Sequence, residues 1–211
     1  QEVSGKDLSQ FALWYSQAGT PKVSFETSFD DANKTFSLTL KQAIPDTPGQ
    51  KDKKPMLLPC KVGLLDKDGN DLALKVKDGP SADHTVLLEF NQAEQTFVFE
   101  GVDQEPTVSL FRDFSAPVKL TTTIDDDALI LRMAKDSDSF NRFEASQTLS
   151  LKTLLALVSD VQAGKDLQVS ERYLEAFHTA LQDDNADHAL LAYALSLPSE
   201  NLIGDAMDTV D

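Results

Sequence analysis

Residues 35–41 read TFSLTLK. Phe36, Leu38 and Leu40 alternate with Ser37, Thr39 and Lys41, a period of two that places every apolar side chain on one face of an extended chain. A helix would need spacings of three and four, so this stretch predicts a strand with one buried face. Upstream, Val23, Phe25 and Phe29 fall on odd positions, and the polar run DDANK at 30–34 supplies a turn between the two segments.

The same period continues downstream. After a Pro-rich connection, IPDTPGQKDKKP at 44–55, the runs LLPCKVGLLD (57–66) and DLALKV (71–76) flank Lys67, Asp68, Gly69 and Asn70, a hairpin signal. HTVLLEF, QTFVFEGV, TVSLFRDF and PVKLTTT follow with turn residues between them. No helical pattern intervenes, and about eight short strands in sequence predict an antiparallel, immunoglobulin-like β-sandwich over residues 1–123. FALWYSQAGTPKV, residues 11–23, carries the chain's single tryptophan, Trp14, and reads as a further strand-like segment that stops at Pro21.

The period changes after Ile124. In LSLKTLLALVSDVQAG, Leu151, Leu154, Leu155, Val158 and Val161 recur at three-to-four spacing, and Gly164 supplies a C-terminal cap. ERYLEAFHTAL puts Tyr173, Leu174, Phe177 and Leu181 on one stripe behind Ser170 as N-cap. HALLAYALSL continues the pattern, and the final segment places Leu202, Ile203, Met207 and Val210 behind Ser199. Residues 124–211 therefore predict four or five amphipathic helices, the first part of an all-α, solenoid-like array. An array that stops at Asp211 is expected to leave apolar surface uncovered, and a chain that begins at Gln1 is expected to be cut from something longer.

Charge narrows the function classes. The chain of 211 residues carries 35 acidic and 19 basic side chains, a net charge of −16, with only four arginines. Such a surface repels phosphate backbones and anionic lipid, which argues against nucleic-acid and membrane-surface partners. No apolar run reaches the ~18 residues of a spanning helix. Cys60 stands alone and cannot close an intramolecular disulfide, so a reducing, cytoplasmic compartment is expected.

Candidate chemistry is sparse. A zinc site collects closely spaced imidazoles and carboxylates, yet His84, His178 and His188 are scattered, no His-Glu-x-x-His occurs, and the last two are expected on different helices. The run from Asp66 to Asp71 resembles a calcium loop only superficially, because the glycine stands fourth and Lys77 twelfth; a polar hairpin is expected instead. Asp125, Asp126 and Asp127 read as the acidic start of a helix, stabilised by its dipole. Ser16 lacks the Gly-x-Ser-x-Gly elbow, and Cys60 is expected as a buried small residue without a histidine nearby. No glycine-rich phosphate cradle is present. No catalytic, cofactor-binding or metal-ligating residue is assigned.

Three stretches carry a resemblance. KDLSQFALWYSQAGTPKV (6–23) is similar to the junction in the aminopeptidase N family of zinc metallopeptidases, where the catalytic domain gives way to a third, β-sandwich domain. VSLFRDFSAPVKL (108–120) resembles the end of that sandwich, and DSDSFNRFEASQ (136–147) resembles the run that opens the family's C-terminal helical domain. They occur in the family's order, with AEQTFVFEGV (93–102) between the first two also similar to bacterial members. Phe143 stands where the family usually has tryptophan.

The resemblance implies that Trp14 and Tyr15 anchor the first sandwich strand and that a zinc-bearing catalytic domain lies upstream. It implies a parent enzyme that removes N-terminal amino acids from peptides, in which this part is an inactive spacer plus the first helices around the substrate chamber. Its partners would be the rest of that chain and, in the parent, peptide substrates. The zinc ligands and the amine-binding motif of the family are absent here, so no catalytic residue carries over. Two other readings stay open: a stand-alone immunoglobulin-like binding module with a helical appendage, and a scaffold whose exposed helices dock a partner.

Overall fold

The alternation at 35–41 becomes strand β2, Thr35–Ala43, whose burial alternates along its length. The computed structural model describes Gly5, residues 7–184 and residues 186–207. β1, Lys22–Asp30, pairs with β2 antiparallel from Lys22↔Ala43 to Asp30↔Thr35. The DDANK turn closes as Asp30 Oδ1 accepts from the Asn33 amide at 3.1 Å and Lys34 takes a left-handed φ of 52°.

Two sheets make the sandwich. The first runs β7-β2-β1-β9, with β7 at Glu94–Glu100 and β9 at Lys119–Leu120, the latter parallel to β1. The second runs β6-β3-β8, with β3 at Leu58–Leu65, β6 at Val86–Phe90 and β8 at Thr107–Leu110. β4 (Leu74–Lys75) and β5 (Ser81–Ala82) form a small hairpin of their own. Phe36, Leu38 and Leu40 point inward beside Leu58, Cys60, Val62, Leu88, Phe90 and Phe99, all buried, in one apolar core. The Phe36 and Phe99 rings lie 6.3 Å apart and tilted.

Three local expectations are corrected. Residues 57–66 and 71–76 do not form a ladder: Leu72 donates one bond to Leu64 O, while β3 pairs with β6 and β8 and β4 with β5. The polar turn exists, but the following chain leaves the sheet. The segment at 11–17 is not a strand either. It forms a single helical turn, α1 at Leu13–Ser16, and the sandwich starts at Lys22. Trp14 packs against the core and its Nε1 donates to Leu57 O at 3.0 Å, whereas Tyr15 is 87% exposed and lies outside that core. What holds the turn is distant chain: Gln10 donates to Pro55 O and Asn91 O, and Gln17 and Lys54 exchange hydrogen bonds. The stretch 107–114 is a strand only to Leu110.

Beyond Leu110 the backbone tightens. Phe111, Asp113 and Phe114 have φ of 53°, 54° and 51°, conformations that cost non-glycine residues of order 1–3 kcal/mol each unless the surroundings enforce them. Arg112 between them is the anchor. It is 2% exposed, its Nε donates to Ser109 Oγ at 2.9 Å and its Nη1 to Thr85 Oγ1 at 3.0 Å. Gly63 on β3 makes room for it: a Cβ there would lie 2.0 Å from Arg112 Cζ.

The chain divides into two compact units, one of residues 1–66 and 72–123, the other of Lys67–Asp71 with Ile124–Asp211. In the second, α2 (Asp126–Lys135), α3 (Ser139–Gln162), α4 (Glu171–Leu181), α5 (His188–Leu195) and α6 (Glu200–Asp205) follow one another. Capping sets their starts. Asp125, Asp138, Asp187 and Ser199 each accept from amides of the first turn, whereas Ser170 stands at the N-cap of α4 without a side-chain bond. Gly164, at φ 65°, follows the C-cap of α3. α6 ends at Asp205, so Met207 lies beyond it, and Val210 lies outside the described residues.

The helical core joins Leu129 and Met133 of α2 to Ala145 and Leu149 of α3 and to Tyr173 and Ala176 of α4. α3 is 24 residues long and buries Asn141, Arg142, Ala145, Ser146, Leu149 and Ser150, a face of small and polar side chains. Polar partners satisfy it: Ser150 bonds the Tyr173 hydroxyl at 2.9 Å, and Ser146 Oγ donates to Ala194 O at 2.5 Å. The apolar stripe of Leu151, Leu154, Leu155 and Val158 is only half-buried, and Val161 is 60% exposed. Leu174 and Leu181 on α4, and Leu190 and Tyr193 on α5, are likewise exposed, so two further apolar stripes face outward.

Candidate functional site

The chemistry-bearing residues singled out above do not converge. Cys60 is fully buried on β3, and burial pushes its thiol up to about 12, so it is neither thiolate nor ligand near neutrality. Ser16 ends α1 on the surface. His84 precedes β6, His178 lies near the end of α4 and His188 starts α5; all three are exposed. Asp125 caps α2, while Asp126 pairs with Lys152 and Asp127 with Arg172, so the acidic triplet is a helix start with surface ion pairs. Among the described residues no three of His, Cys, Asp and Glu are grouped to hold a metal ion. The donor groups of the described residues are too scattered to make a zinc site.

One polar cavity of about 530 Å³ lies within the helical unit. Its walls are the turn at 68–70, Lys135 at the end of α2, Arg142 on α3, and Thr179 with residues 182–184 at the end of α4. Gly69 explains how the turn reaches this position. It holds φ 85°, and a Cβ there would sit 2.3 Å from Lys135 Cβ, so only glycine lets the turn close on α2. Asp71 Oδ2 accepts from Ser137 Oγ at 2.5 Å and pins the other side. The turn that resembled a calcium loop thus has a packing role.

Arg142 forms the floor. It is 8% exposed, and its Nη1 meets Asp183 Oδ2 at 2.8 Å, an ion pair bridging α3 to the end of α4. Its Nε has no hydrogen-bond partner among the described residues. Lys135, at the end of α2, and Asp184, in the turn after α4, stand exposed on the rim, and neither enters an ion pair among the described residues. Nearby, Arg132 is buried beside Asp136 with Nε 3.6 Å from Oδ2, and burial pulls its pKa down despite that carboxylate. Burial also raises the Glu144 carboxyl. Sequence reading picked out Arg142 only within a resemblance and missed the cavity, because its walls come from four separated segments.

Comparison with known proteins agrees with this architecture. A family model described as a domain of unknown function (DUF3458) with an Ig-like fold matches residues 19–123. Its companion, DUF3458_C, described as ARM repeats, matches residues 126–211. Aminopeptidase N of Escherichia coli is 36% identical over all 211 residues, which make up 24% of that relative. Aminopeptidase N of Haemophilus influenzae is 31% identical over the same span, again 24% of its length, and that of Caulobacter vibrioides is 40% identical over 199 residues, covering 94% of this chain and 22% of the relative. The chain therefore spans about a quarter of the curated relatives it matches. Among solved structures, Legionella pneumophila aminopeptidase A in complex with aspartic acid superposes on the whole chain with a TM-score of 0.75 at 28% identity, using 22% of its own length.

Proposed function

The chain belongs to the aminopeptidase N family, and from that premise we propose that it is a non-catalytic part of a zinc-dependent peptide hydrolase that removes N-terminal amino acids. Residues 1–123 serve as an Ig-like spacer and 124–211 as the first part of an ARM-type array beside the substrate chamber. The observation that carries the reading is similarity over the whole chain to enzymes about four times as long, together with an Ig-like domain model followed by an ARM-repeat model along this chain. The open apolar stripes on α3, α4 and α5 support it, since a repeat array leaves such faces for the next repeat to cover. Zinc and the catalytic base belong to the upstream domain in this reading, and the partners of this part are the remaining segments of the parent chain. A cytoplasmic location fits the lone buried thiol, and no helix among the described residues is long and apolar enough to cross a membrane.

The test is to translate the gene on both sides of this segment and assay two proteins, the full open frame and this chain alone, on aminoacyl-p-nitroanilides with metal analysis of each. An upstream His-Glu-x-x-His, one zinc per full-length chain, and amino-acid release by the full-length protein alone are expected. Stoichiometric zinc or peptidase activity in this chain, or a frame without the motif, overturns the reading in favour of a self-contained module.

A further inference from the structure

We infer that the cavity between the turn at 68–70 and the C-terminal ends of α2 and α4 binds a small zwitterion, a free α-amino acid. The inference rests on the peptidase reading only for where such a ligand comes from: a peptidase that trims N-termini generates free amino acids around itself.

The geometry supplies both signs. Arg142 and Lys135 line one cavity together with Asp68, Asp183 and Asp184. A purely cationic or purely anionic ligand would meet like charge on one side, whereas a molecule with a carboxylate and an ammonium group a few ångströms apart satisfies both. Arg142 is fixed by Asp183 and nearly buried, so it sets the positive wall without needing to reorganise. Lys135 and Asp184 each present a charge without an ion partner among the described residues, and they are the groups free to pair with carboxylate and ammonium. Residues at the C-terminal ends of α2 and α4 both line the cavity, and the negative ends of the two helix dipoles favour the ammonium end.

The walls are built rather than incidental. Gly69 holds the turn against the Lys135 stem, and the Ser137 hydrogen bond to Asp71 holds its other side, so the mouth is defined by packing. Ala134 is the one apolar side chain in the lining, and the rest are polar or charged. A ligand with a small or polar side chain is accommodated, and a large apolar one finds no surface to bury.

The experiment titrates this chain, labelled with nitrogen-15, with L-alanine, with N-acetyl-L-alanine, which lacks the ammonium, and with L-alaninamide, which lacks the carboxylate. L-Alanine is expected to shift the amides of Asn70, Lys135 and residues 182–184 saturably, with Kd on the order of 1 mM. Each half-ligand is expected to bind about fivefold or more weakly. Lys135→Ala, which keeps the Cβ that Gly69 packs against, and Asp184→Asn are each expected to weaken L-alanine by about two- to fivefold while leaving the helical spectrum unchanged. No saturable shift by about 50 mM, equal shifts from all three compounds, or unchanged affinity in both variants overturns the inference. Peptidase assays of the full-length protein read the parent's activity separately, so an active parent without L-alanine binding here refutes this inference alone.

Discussion

Gly63→Ala is the sharpest test of how the sandwich is locked. A Cβ at this position would lie 2.0 Å from Arg112 Cζ, 2.3 Å from Nε and 2.4 Å from Nη1, far inside van der Waals contact. The guanidinium cannot swing aside freely, because it is 2% exposed and held by hydrogen bonds that include those to Ser109 Oγ, Thr85 Oγ1 and His84 O. Losing two charge-assisted bonds costs about 1.5 kcal/mol each, and residual overpacking adds about 1 kcal/mol. The lower unfolded-state entropy of alanine returns about 0.5 kcal/mol, since Gly63 does not use a left-handed φ. The net expectation is a loss of about 3–4 kcal/mol, a large share of the ~5–15 kcal/mol that a domain has. Trp14 is the chain's only tryptophan and belongs to the sandwich unit, so its fluorescence in a urea titration follows that unit. The same substitution in an Arg112→Ala background is expected to cost less than about 1 kcal/mol, because the clash is gone. A cost below about 1 kcal/mol in the parent background, or an equal cost in both, refutes the argument that glycine is there for the arginine.

Three further outcomes follow from other parts of the molecule. Burial pushes the folded Cys60 thiol up to about 12 from 9.0, so its contribution to stability is level below about pH 9 and falls as pH rises through that window, by about 1.4 kcal/mol per pH unit; urea titrations between pH 8 and 10.5 check this, and Cys60→Ala should flatten the added slope. Trp14→Phe removes the Nε1 bond to Leu57 O and should cost about 1 kcal/mol by circular-dichroism melting; no change would mean the bond is replaced by water at no loss. Amides of α4 and α5 should exchange with solvent at least about tenfold faster than those of the β1–β2 ladder, as their outer faces lack cover; equal protection would contradict this.

Legibility in the sequence followed the kind of force involved. β1 and β2 were readable because hydrophobic burial on one sheet face writes itself as alternation, and Phe36, Leu38 and Leu40 do face the core. α1 was not, because a single turn held by Gln10, Trp14 and Gln17 reaching residues 54–57 and 91 leaves no local period. On α3 the visible stripe of leucines and valines is half-open, while the buried face carries Asn141, Arg142, Ser146 and Ser150, whose partners are unknowable without the fold. The early part of α3 was therefore recognised from its resemblance rather than from periodicity. The cavity was invisible for a related reason: Arg142, Lys135 and Asp184 look like ordinary surface charge until the fold places them around one cavity with the turn at Gly69.

The outward apolar stripes also bear on colloidal behaviour. Leu174, Leu181, Leu190, Tyr193 and Leu197 offer sticky surface on a chain that nonetheless carries sixteen excess negative charges. In dilute buffer, mutual repulsion keeps such molecules apart over about 10–30 Å. Raising the salt to about 1 M shortens that range to roughly 3 Å while apolar attraction persists. Ionic strength should therefore act on this chain as a switch between dispersed and associated states, with the helical half as the adhesive side.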